Sequence, residues 1–287
     1  MPETFDDNFP QSPITPVRLG LDDTFRFDCR SDIACFNQCC RNIDITLTPC
    51  DILRLKKRLG LTSQEFLHLH TVPFEMDAHG LPGIKMKTQG DTTVCQFLAD
   101  SGCEVYSDRP TACRYYALGV GAMRKAGSPL DEDFYFVVKE EHCLGHRESR
   151  LQTIGNYRKE QGIEEYDALN REWRRIVLKK RSCGPTVGKP SLRSMQLFFM
   201  ASYDLDGFRD FVASASFGEV YDLGEELNNT LLHDEIQLMQ FAFRFLKQVL
   251  FGENTLPLRP DAMEKRLARR GTLFRQAADA ESPSGET

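Results

Sequence analysis

The spacing of hydrophobic and polar positions changes along the chain and divides it into four parts. Residues 1–23 are rich in Pro, Asp and Thr and show no period, which predicts an extended leader. Residues 24–148 mix short helical and strand-like patterns, whereas residues 149–252 repeat apolar positions at helical spacing. Residues 253–287 predict a basic helix followed by a disordered tail. The whole pattern predicts an α+β fold, in which a small Cys-rich unit of short strands and helices precedes a mainly helical segment.

Local signals place two helices near the start of the Cys-rich unit. Thr48 precedes Pro49 and an acidic residue, which is typical of a helix N-terminus, and Gly60 stands where a helix commonly ends. The run 62–65 reads Thr-Ser-Gln-Glu, a capping-box pattern that predicts a second, shorter helix.

Runs of β-branched and aromatic residues, separated by Gly and Asp, predict four short strands. They cover residues 84–87, 92–97, 103–106 and 134–138. Apolar stripes at helical spacing follow in the later segment. The first stripe consists of Tyr166, Leu169, Trp173, Ile176 and Val177, and the second of Ile236, Met239, Phe243, Leu246 and Leu250.

Composition and charge exclude several classes of function. The 287 residues are 41% hydrophobic and 27% charged, as in ordinary globular proteins, and the net charge of −6 argues against a nucleic-acid partner. The chain lacks the roughly 20 consecutive apolar residues that a membrane span needs. Its acidic N-terminus does not resemble a signal peptide. We therefore expect a soluble, cytoplasmic protein without a membrane partner.

Ten cysteines are the unusual feature of this composition, and eight of them lie between Cys29 and Cys113. The first block reads Cys29-x5-Cys35-x3-Cys39-Cys40. If Cys35 begins a helical turn, Cys39 lies on the same face and Cys40 is rotated by about 100°. The block could therefore present its thiolates to one point or divide them between two neighbouring centres.

Two further blocks and one outlying cysteine complete the set. Cys95 and Cys103 flank a predicted hairpin turn at residues 100–102, and Cys143 lies in a His-Cys-x2-His run. Cys113 follows Asp108, which we expect to cap a short helix with Pro in its first turn.

The residues around Cys113 predict a thiol of low pKa. A helix N-terminus and the flanking Arg109 and Arg114 all favour the thiolate, which is the form that binds metal. We expect the two arginines chiefly to orient the region of Cys113.

Disulfides, buried free thiols and metal ligation remain as alternatives for these cysteines. Disulfides suit small secreted domains, and the free-thiol interpretation suits Cys50 and Cys183. Metal ligation accounts best for the adjacent pair Cys39-Cys40 and for the three blocks. The spacing matches neither a zinc finger nor a ferredoxin, so it does not identify the metal.

Several motifs in this order resemble the YkgJ-like cysteine-cluster family, which is described as a zinc- or iron-chelating domain. The first half consists of Cys35-x3-Cys39-Cys40 followed by Leu47-Thr48-Pro49-x-Asp51. The second half consists of Cys95-x-Phe97-Leu98, Gly102-Cys103-x-Val105-Tyr106 and Arg109-Pro110-x-x-Cys113-Arg114-x-Tyr116. The resemblance covers residues 27–121 and implies a metal-binding unit. The family is also similar, in its cysteine pattern, to flagellin lysine methylase proteins.

The resemblance implies the metal ligands, with Cys143 added from its position in the chain. They are Cys29, Cys35, Cys39, Cys40, Cys95, Cys103, Cys113 and Cys143. It also implies an iron–sulfur cluster, of which a 4Fe–4S cluster is the expected form, with zinc as the alternative. Three functions stay open: iron–sulfur redox or group-transfer chemistry, a structural zinc module that binds an unidentified protein partner, and a lysine-methylase-like activity. The sequence identifies neither a catalytic residue nor a substrate.

Overall fold

The computed structural model describes residues 14, 17–78, 80–124, 131–182 and 191–262. Cys183 and all of the predicted basic helix beyond residue 262 lie outside this range. The chain divides into two compact units. The first comprises Met1–Leu61, Glu65–Phe74 and Gly83–Arg171, and the second comprises Thr62–Gln64, Glu75–Pro82 and Glu172–Thr287. The first unit thus extends beyond residue 148, where the sequence placed the boundary of the Cys-rich part.

The two helices predicted in the Cys-rich part are confirmed. Helix α1 spans Pro49–Leu59, and helix α2 spans Ser63–His70. The N-terminus of α1 is a capping box, in which the Asp51 N–H donates to the Thr48 hydroxyl and the Asp51 carboxylate accepts the Thr48 N–H at 2.8 Å. Gly60 ends the helix with a φ of 69°, a left-handed conformation that favours glycine.

The strands of the described residues pair in twos, so the α+β class is confirmed while each sheet stays small. The pairs are β1 with β8, β2 with β3, β4 with β5, and β6 with β7. The strands are β1 (Thr24–Arg26), β2 (Thr71–Glu75), β3 (Pro82–Met86), β4 (Leu98–Ala99), β5 (Gly102–Cys103), β6 (Leu118–Arg124), β7 (Asp131–Val137) and β8 (Leu151–Thr153).

The strand predicted at residues 92–97 is wrong. Only an isolated bridge between Thr88 and Cys95 forms there, and the Cys95 N–H donates instead to the Cys40 carbonyl at 2.8 Å. Cys40, which lies 55 positions earlier in the chain, thus accepts the hydrogen bond that Cys95 would otherwise donate to a neighbouring strand. Such non-local pairing leaves no trace in a local pattern.

Helices make up most of the remaining described chain. Those after α2 are α3 (Thr111–Tyr115), α4 (Ile154–Glu160), α5 (Ile163–Ser182), α6 (Leu192–Tyr203), α7 (Leu205–Ala213), α8 (Ala215–Gly218), α9 (Glu225–His233) and α10 (Glu235–Phe251). None of the helices in the described ranges combines the length and apolar composition that crossing a membrane requires.

An aromatic core supports the cysteine-bearing segments of the first unit. Phe25, Phe27, Tyr135 and Tyr157 are all at least 94% buried, and the ring of Tyr157 meets those of Phe25 and Phe27 edge-on. Leu19, within the predicted leader, exchanges two backbone hydrogen bonds with Tyr135. The segment before Cys29 is therefore held by the hydrogen bonds of Leu19 and by the packing of Phe25 and Phe27.

The second unit has its own core, formed largely by phenylalanine rings of α7 and α10. Phe208 and Phe245 lie 5.5 Å apart between ring centroids and are buried. The apolar stripe predicted for α10 is confirmed at Met239, Phe243 and Leu246, but Ile236 is 45% exposed. Ile236 lies in the first turn of α10, where the Asp234 side chain caps the helix.

Candidate metal centre

The first cysteine block follows strand β1 and ends in a short 3-10 helix, Gln38–Cys40. Residues 35–39 do not form an α-helical turn, so the condition for placing Cys35 and Cys39 on one helix face is not met. Asn37, with a φ of 64°, reverses the chain immediately before the 3-10 helix. Asn adopts this left-handed conformation more readily than most residues, so its position here is consistent with a tight turn.

Four thiols gather around one pocket. The pocket is lined by Phe27, Asp28, Cys29, Cys35, Asn37, Cys39, Tyr116, His142, Cys143 and Gly145. Cys29 is exposed, and the other three thiols are half-buried. The pocket therefore joins the first block to Cys143, which lies far along the chain, and includes one exposed residue, Cys29.

Gly145 makes the approach of Cys143 to the first block possible. The Asp28 N–H donates to the Gly145 carbonyl at 3.1 Å, and the Leu144 N–H points at the Cys35 sulfur at 3.2 Å. A Cβ atom at position 145 would lie 2.7 Å from both the Asp28 carbonyl oxygen and the Phe27 ring. Only glycine fits such a close approach of two backbone segments without a shift.

The second block is a hairpin, as predicted, but it carries only one of its two thiols on a strand. Cys103 lies on β5 and pairs with Leu98 of β4, while Cys95 precedes the hairpin. The bond from Cys95 to the Cys40 carbonyl fixes this block beside the first one. Cys95 is buried, and Cys103 is half-buried.

Asp51, not Asp108, caps the helix that carries Cys113. One carboxylate oxygen of Asp51 accepts both the backbone N–H and the hydroxyl of Thr111, each at 2.7 Å. Asp108 instead ends a separate 3-10 helix, Tyr106–Asp108. Asp51 is fully buried, and burial raises its pKa while the bonds from Thr48 and Thr111 oppose that rise.

Arg114 braces the same helix from the other side. Its guanidinium donates to the carbonyls of Arg109 (3.2 Å), Gln161 (2.6 Å) and Ser107, and it stacks over the Tyr166 ring at 4.3 Å. These hydrogen bonds to backbone carbonyls hold the chain around Cys113 in place.

The low pKa expected for Cys113 is wrong. Burial raises the pKa of this thiol, and the neighbouring thiols Cys40, Cys95 and Cys103 raise it further. The guanidinium of Arg114 is hydrogen-bonded to backbone carbonyls instead. Desolvation therefore raises the pKa of the Cys113 thiol more than the N-terminus of this five-residue helix lowers it.

Burial raises the pKa of the Cys95 thiol to about 11. The thiols of Cys29, Cys103 and Cys143 shift in the same direction. Cys39 and Cys40 differ, because the hydrogen bond between their side chains raises the pKa of Cys39 and lowers that of Cys40.

Two polar side chains, Tyr116 and His142, lie beside Cys143 in the pocket, and neither of them was assigned a role in the site from the sequence. The Tyr116 hydroxyl donates to Glu140 at 2.6 Å and lies 3.2 Å from His142 Nε2, and it also hydrogen-bonds the Cys143 thiol. Tyr116 closes the Arg-Pro-x-x-Cys-Arg-x-Tyr run, so the motif itself contained the signal. His146, by contrast, faces the carbonyls of Val138 and Arg26.

Cys50 lies apart from the eight candidates. It is fully buried in α1, where its backbone N–H donates to Asn170 and its thiol bonds to Arg54. Burial raises its pKa to about 12. This environment agrees with the interpretation of Cys50 as a structural free thiol.

The donor chemistry of the cluster fits zinc or iron, because soft thiolates select these metals. All nine cysteines of the described residues are free. In that part of the chain, no three His, Cys, Asp or Glu side chains are arranged so that they could hold a metal ion as they stand. Metal binding would therefore require the thiols to turn inward, and each turns about its Cα–Cβ bond.

The first unit is a Cys-rich α+β unit whose thiols have the donor chemistry of a metal-chelating protein. Residues 28–144 match the family model CxxCxxCC, described as a putative zinc- or iron-chelating domain. This match supports the resemblance of residues 28–144 to the YkgJ-like cysteine-cluster family. Neither the curated proteins nor the solved structures gave a match.

Proposed function

We propose that this protein is an iron–sulfur protein whose cluster is held by thiols of the first unit and supports redox or group-transfer chemistry. One observation carries the proposal: four thiols line a single pocket that also contains Tyr116 and His142. An iron–sulfur cluster held by thiolates supplies reversible electron transfer at a potential set by its surroundings. A pocket with one exposed thiol, Cys29, gives a reaction partner access to such a cluster.

The proposed ligands are the eight thiols of the described residues that lie outside α1, because they come from distant parts of the first unit. They are Cys29, Cys35, Cys39, Cys40, Cys95, Cys103, Cys113 and Cys143.

Other residues of the first unit would hold these ligands in position. Asp51 and Arg114 fix the helix of Cys113, and Gly145 brings Cys143 against the segment of Cys29. Tyr116 donates to Glu140 and contacts the Cys143 thiol, so it orients one wall of the pocket. Such supporting contacts set the geometry and solvent access of a metal site.

A structural zinc module is the second candidate, and the hairpin side of the cluster favours it. There Cys95 is buried, and the helix of Cys113 is braced by a hydrogen bond that Asp51 accepts from Thr111 and by one that Arg114 donates to Gln161. Closed sites of this kind are typical of structural zinc, which contributes directly to folding. In this case the protein would serve as a binding module for a protein partner.

Anaerobic purification with metal and acid-labile sulfide analysis separates the two candidates. Iron with matching sulfide and broad visible absorption is the result expected for a cluster. Zinc without sulfide would support the structural module instead. A folded protein that contains neither metal would contradict both.

Substitutions then identify the ligands. Cys39→Ser, Cys95→Ser and Cys113→Ser should each lose metal or destabilise the first unit, because metal binding is coupled to folding. Cys50→Ser is the matched control within the same unit and should retain full metal content. Loss of metal from Cys50→Ser equal to that from Cys113→Ser would contradict the assignment.

A further inference from the structure

The thiols of the cluster fall into two sets of four. The first set lines the pocket beside Tyr116 and consists of Cys29, Cys35, Cys39 and Cys143. Two hydrogen bonds hold this set together: the Leu144 N–H points at the Cys35 sulfur, and the Asp28 N–H donates to the Gly145 carbonyl. The segments that carry these thiols are thus tied to each other directly.

The second set consists of Cys40, Cys95, Cys103 and Cys113. None of these four thiols lines the pocket. The Cys95 N–H donates to the Cys40 carbonyl, and the Cys113 thiol interacts electrostatically with Cys40, Cys95 and Cys103. Cys95 and Cys103 also interact with each other and with Cys40. Each member therefore has the other members of its set among its neighbours.

The division runs between the adjacent residues Cys39 and Cys40. Both lie in the 3-10 helix, whose three residues per turn point successive side chains about 120° apart. Cys39 consequently lines the pocket, while the backbone of Cys40 is bonded to Cys95. The sets adjoin here, since the two thiols share a hydrogen bond, Cys39 also interacts with Cys113, and Cys29 interacts with Cys40.

We infer that the eight thiols form two separate metal centres, one at the pocket and one between the hairpin and α3, and that the adjacent cysteines Cys39 and Cys40 serve one centre each. This inference rests on the metal binding proposed above and adds its stoichiometry and partition. Four thiolates complete the ligand set of a zinc ion or of an iron–sulfur cluster, so neither set needs a ligand from the other.

The two centres differ in access to solvent. The pocket set includes the exposed Cys29, whereas the hairpin set includes the buried Cys95 and is braced by Asp51 and Arg114. Metal at the pocket is therefore the first to exchange, and metal at the hairpin is retained longer. The same chain would combine a reactive centre with a structural one.

Metal content of the holoprotein and its variants tests the partition. Cys29→Ser and Cys143→Ser each remove one ligand of the pocket set, and Cys95→Ser and Cys103→Ser each remove one of the hairpin set. We expect every single variant to retain about half of the metal bound by the unsubstituted chain, because metal binding at one set does not need the other. Cys50→Ser serves as the control with full content.

Double substitutions make the test decisive. Cys29→Ser combined with Cys143→Ser should lose no more metal than either change alone, whereas Cys29→Ser combined with Cys95→Ser should lose nearly all of it. Such non-additivity within a set and additivity between sets is the signature of two independent units. A single substitution that empties the folded protein, or a cross-set pair that retains half, would overturn the inference.

A second measurement needs no variant, so it applies even where a substitution prevents folding. The holoprotein is treated with EDTA, and the cysteines that become reactive to iodoacetamide are identified over time. We expect Cys29, Cys35, Cys39 and Cys143 to be alkylated together in a first phase, followed by the other four. Alkylation of all eight in one phase would contradict two centres.

The outcomes also separate this inference from the proposed function. A chain that is purified without any metal contradicts both statements. Metal and sulfide in amounts that correspond to one centre leave the proposed function intact and overturn only the partition.

Discussion

Asp51 and Thr111 are 60 positions apart in the chain, yet one carboxylate oxygen of Asp51 accepts both the N–H and the hydroxyl of Thr111. The other oxygen accepts the Thr48 N–H, so a single buried side chain caps two helices. Helix α1 and the helix of Cys113 are thereby joined through one acid. This residue belongs to the Leu-Thr-Pro-x-Asp motif, and the motif needs an acid there because both carboxylate oxygens accept hydrogen bonds at helix N-termini.

Asp51→Asn should destabilise the first unit and lower its metal content. An amide has one acceptor oxygen where the carboxylate uses two, so a buried N–H loses its partner at a cost of about 2 kcal/mol. The free energy of unfolding, measured with denaturant, and metal per chain are the readouts. Thr111→Val, which removes only the hydroxyl bond, is the control and should cost about 1 kcal/mol. Equal stability of Asp51→Asn and the parent would refute this role.

Gly145→Ala should separate Cys143 from the segment of Cys29. The added methyl would meet the Asp28 carbonyl and the Phe27 ring at 2.7 Å, and relief of such overpacking typically costs 1–3 kcal/mol. We expect reduced metal retention together with a lower melting temperature. Gly218→Ala is the matched control, because nothing lies within 4 Å of its Cβ position and it should fold normally. Full metal retention by Gly145→Ala would argue against a role for Cys143.

Arg114→Lys should loosen the helix of Cys113 although the charge is retained. One ammonium group cannot replace a guanidinium that reaches three carbonyls, so we expect a loss of about 2 kcal/mol and of metal bound near Cys113. Arg109→Lys is the comparison. It loses bonds at a half-buried position and should cost less. Similar unfolding free energies for the two variants would show that Arg114 stabilises the first unit no more than Arg109 does.

Metal affinity should rise with pH. Burial raises the pKa of Cys95 to about 11, so this thiol is protonated at neutral pH and must release its proton to bind metal. Each proton released makes the affinity about tenfold higher per pH unit until the thiol ionises by itself. Competition with a chelator at several pH values measures the slope. Affinity that is independent of pH over the neutral range would contradict protonated thiols.

Local features of the fold were predictable, and non-local ones were not. The capping box and Gly60 define α1 because every partner lies within a few residues. The cap of the Cys113 helix was assigned to Asp108, the nearest acid, whereas the actual acceptor, Asp51, comes from another helix. No pattern within a window of residues contains that information.

The candidate site shows the same limit. The motifs indicated which cysteines belong to the metal-binding domain, and the family match over residues 28–144 supports that domain. They did not indicate which thiols are neighbours, because this depends on the close approach at Gly145 and on the Cys95–Cys40 backbone bond. The pKa of Cys113 was misjudged for a related reason, since burial by distant segments outweighs the charges adjacent in sequence.

The pairing of strand β1 with strand β8 has a consequence for biosynthesis. Thr24 lies opposite Thr153, so the two ends of the Cys-rich part are fastened to each other and the pocket between them depends on that fastening. A nascent chain exposes Cys29, Cys35 and Cys39 long before Cys143 and β8 have left the ribosome. Contacts of such long sequence separation form late. The order of synthesis therefore delays assembly of the pocket until β8 has emerged, and a fragment that ends at residue 144 would contain all eight thiols but lack the strand that closes it.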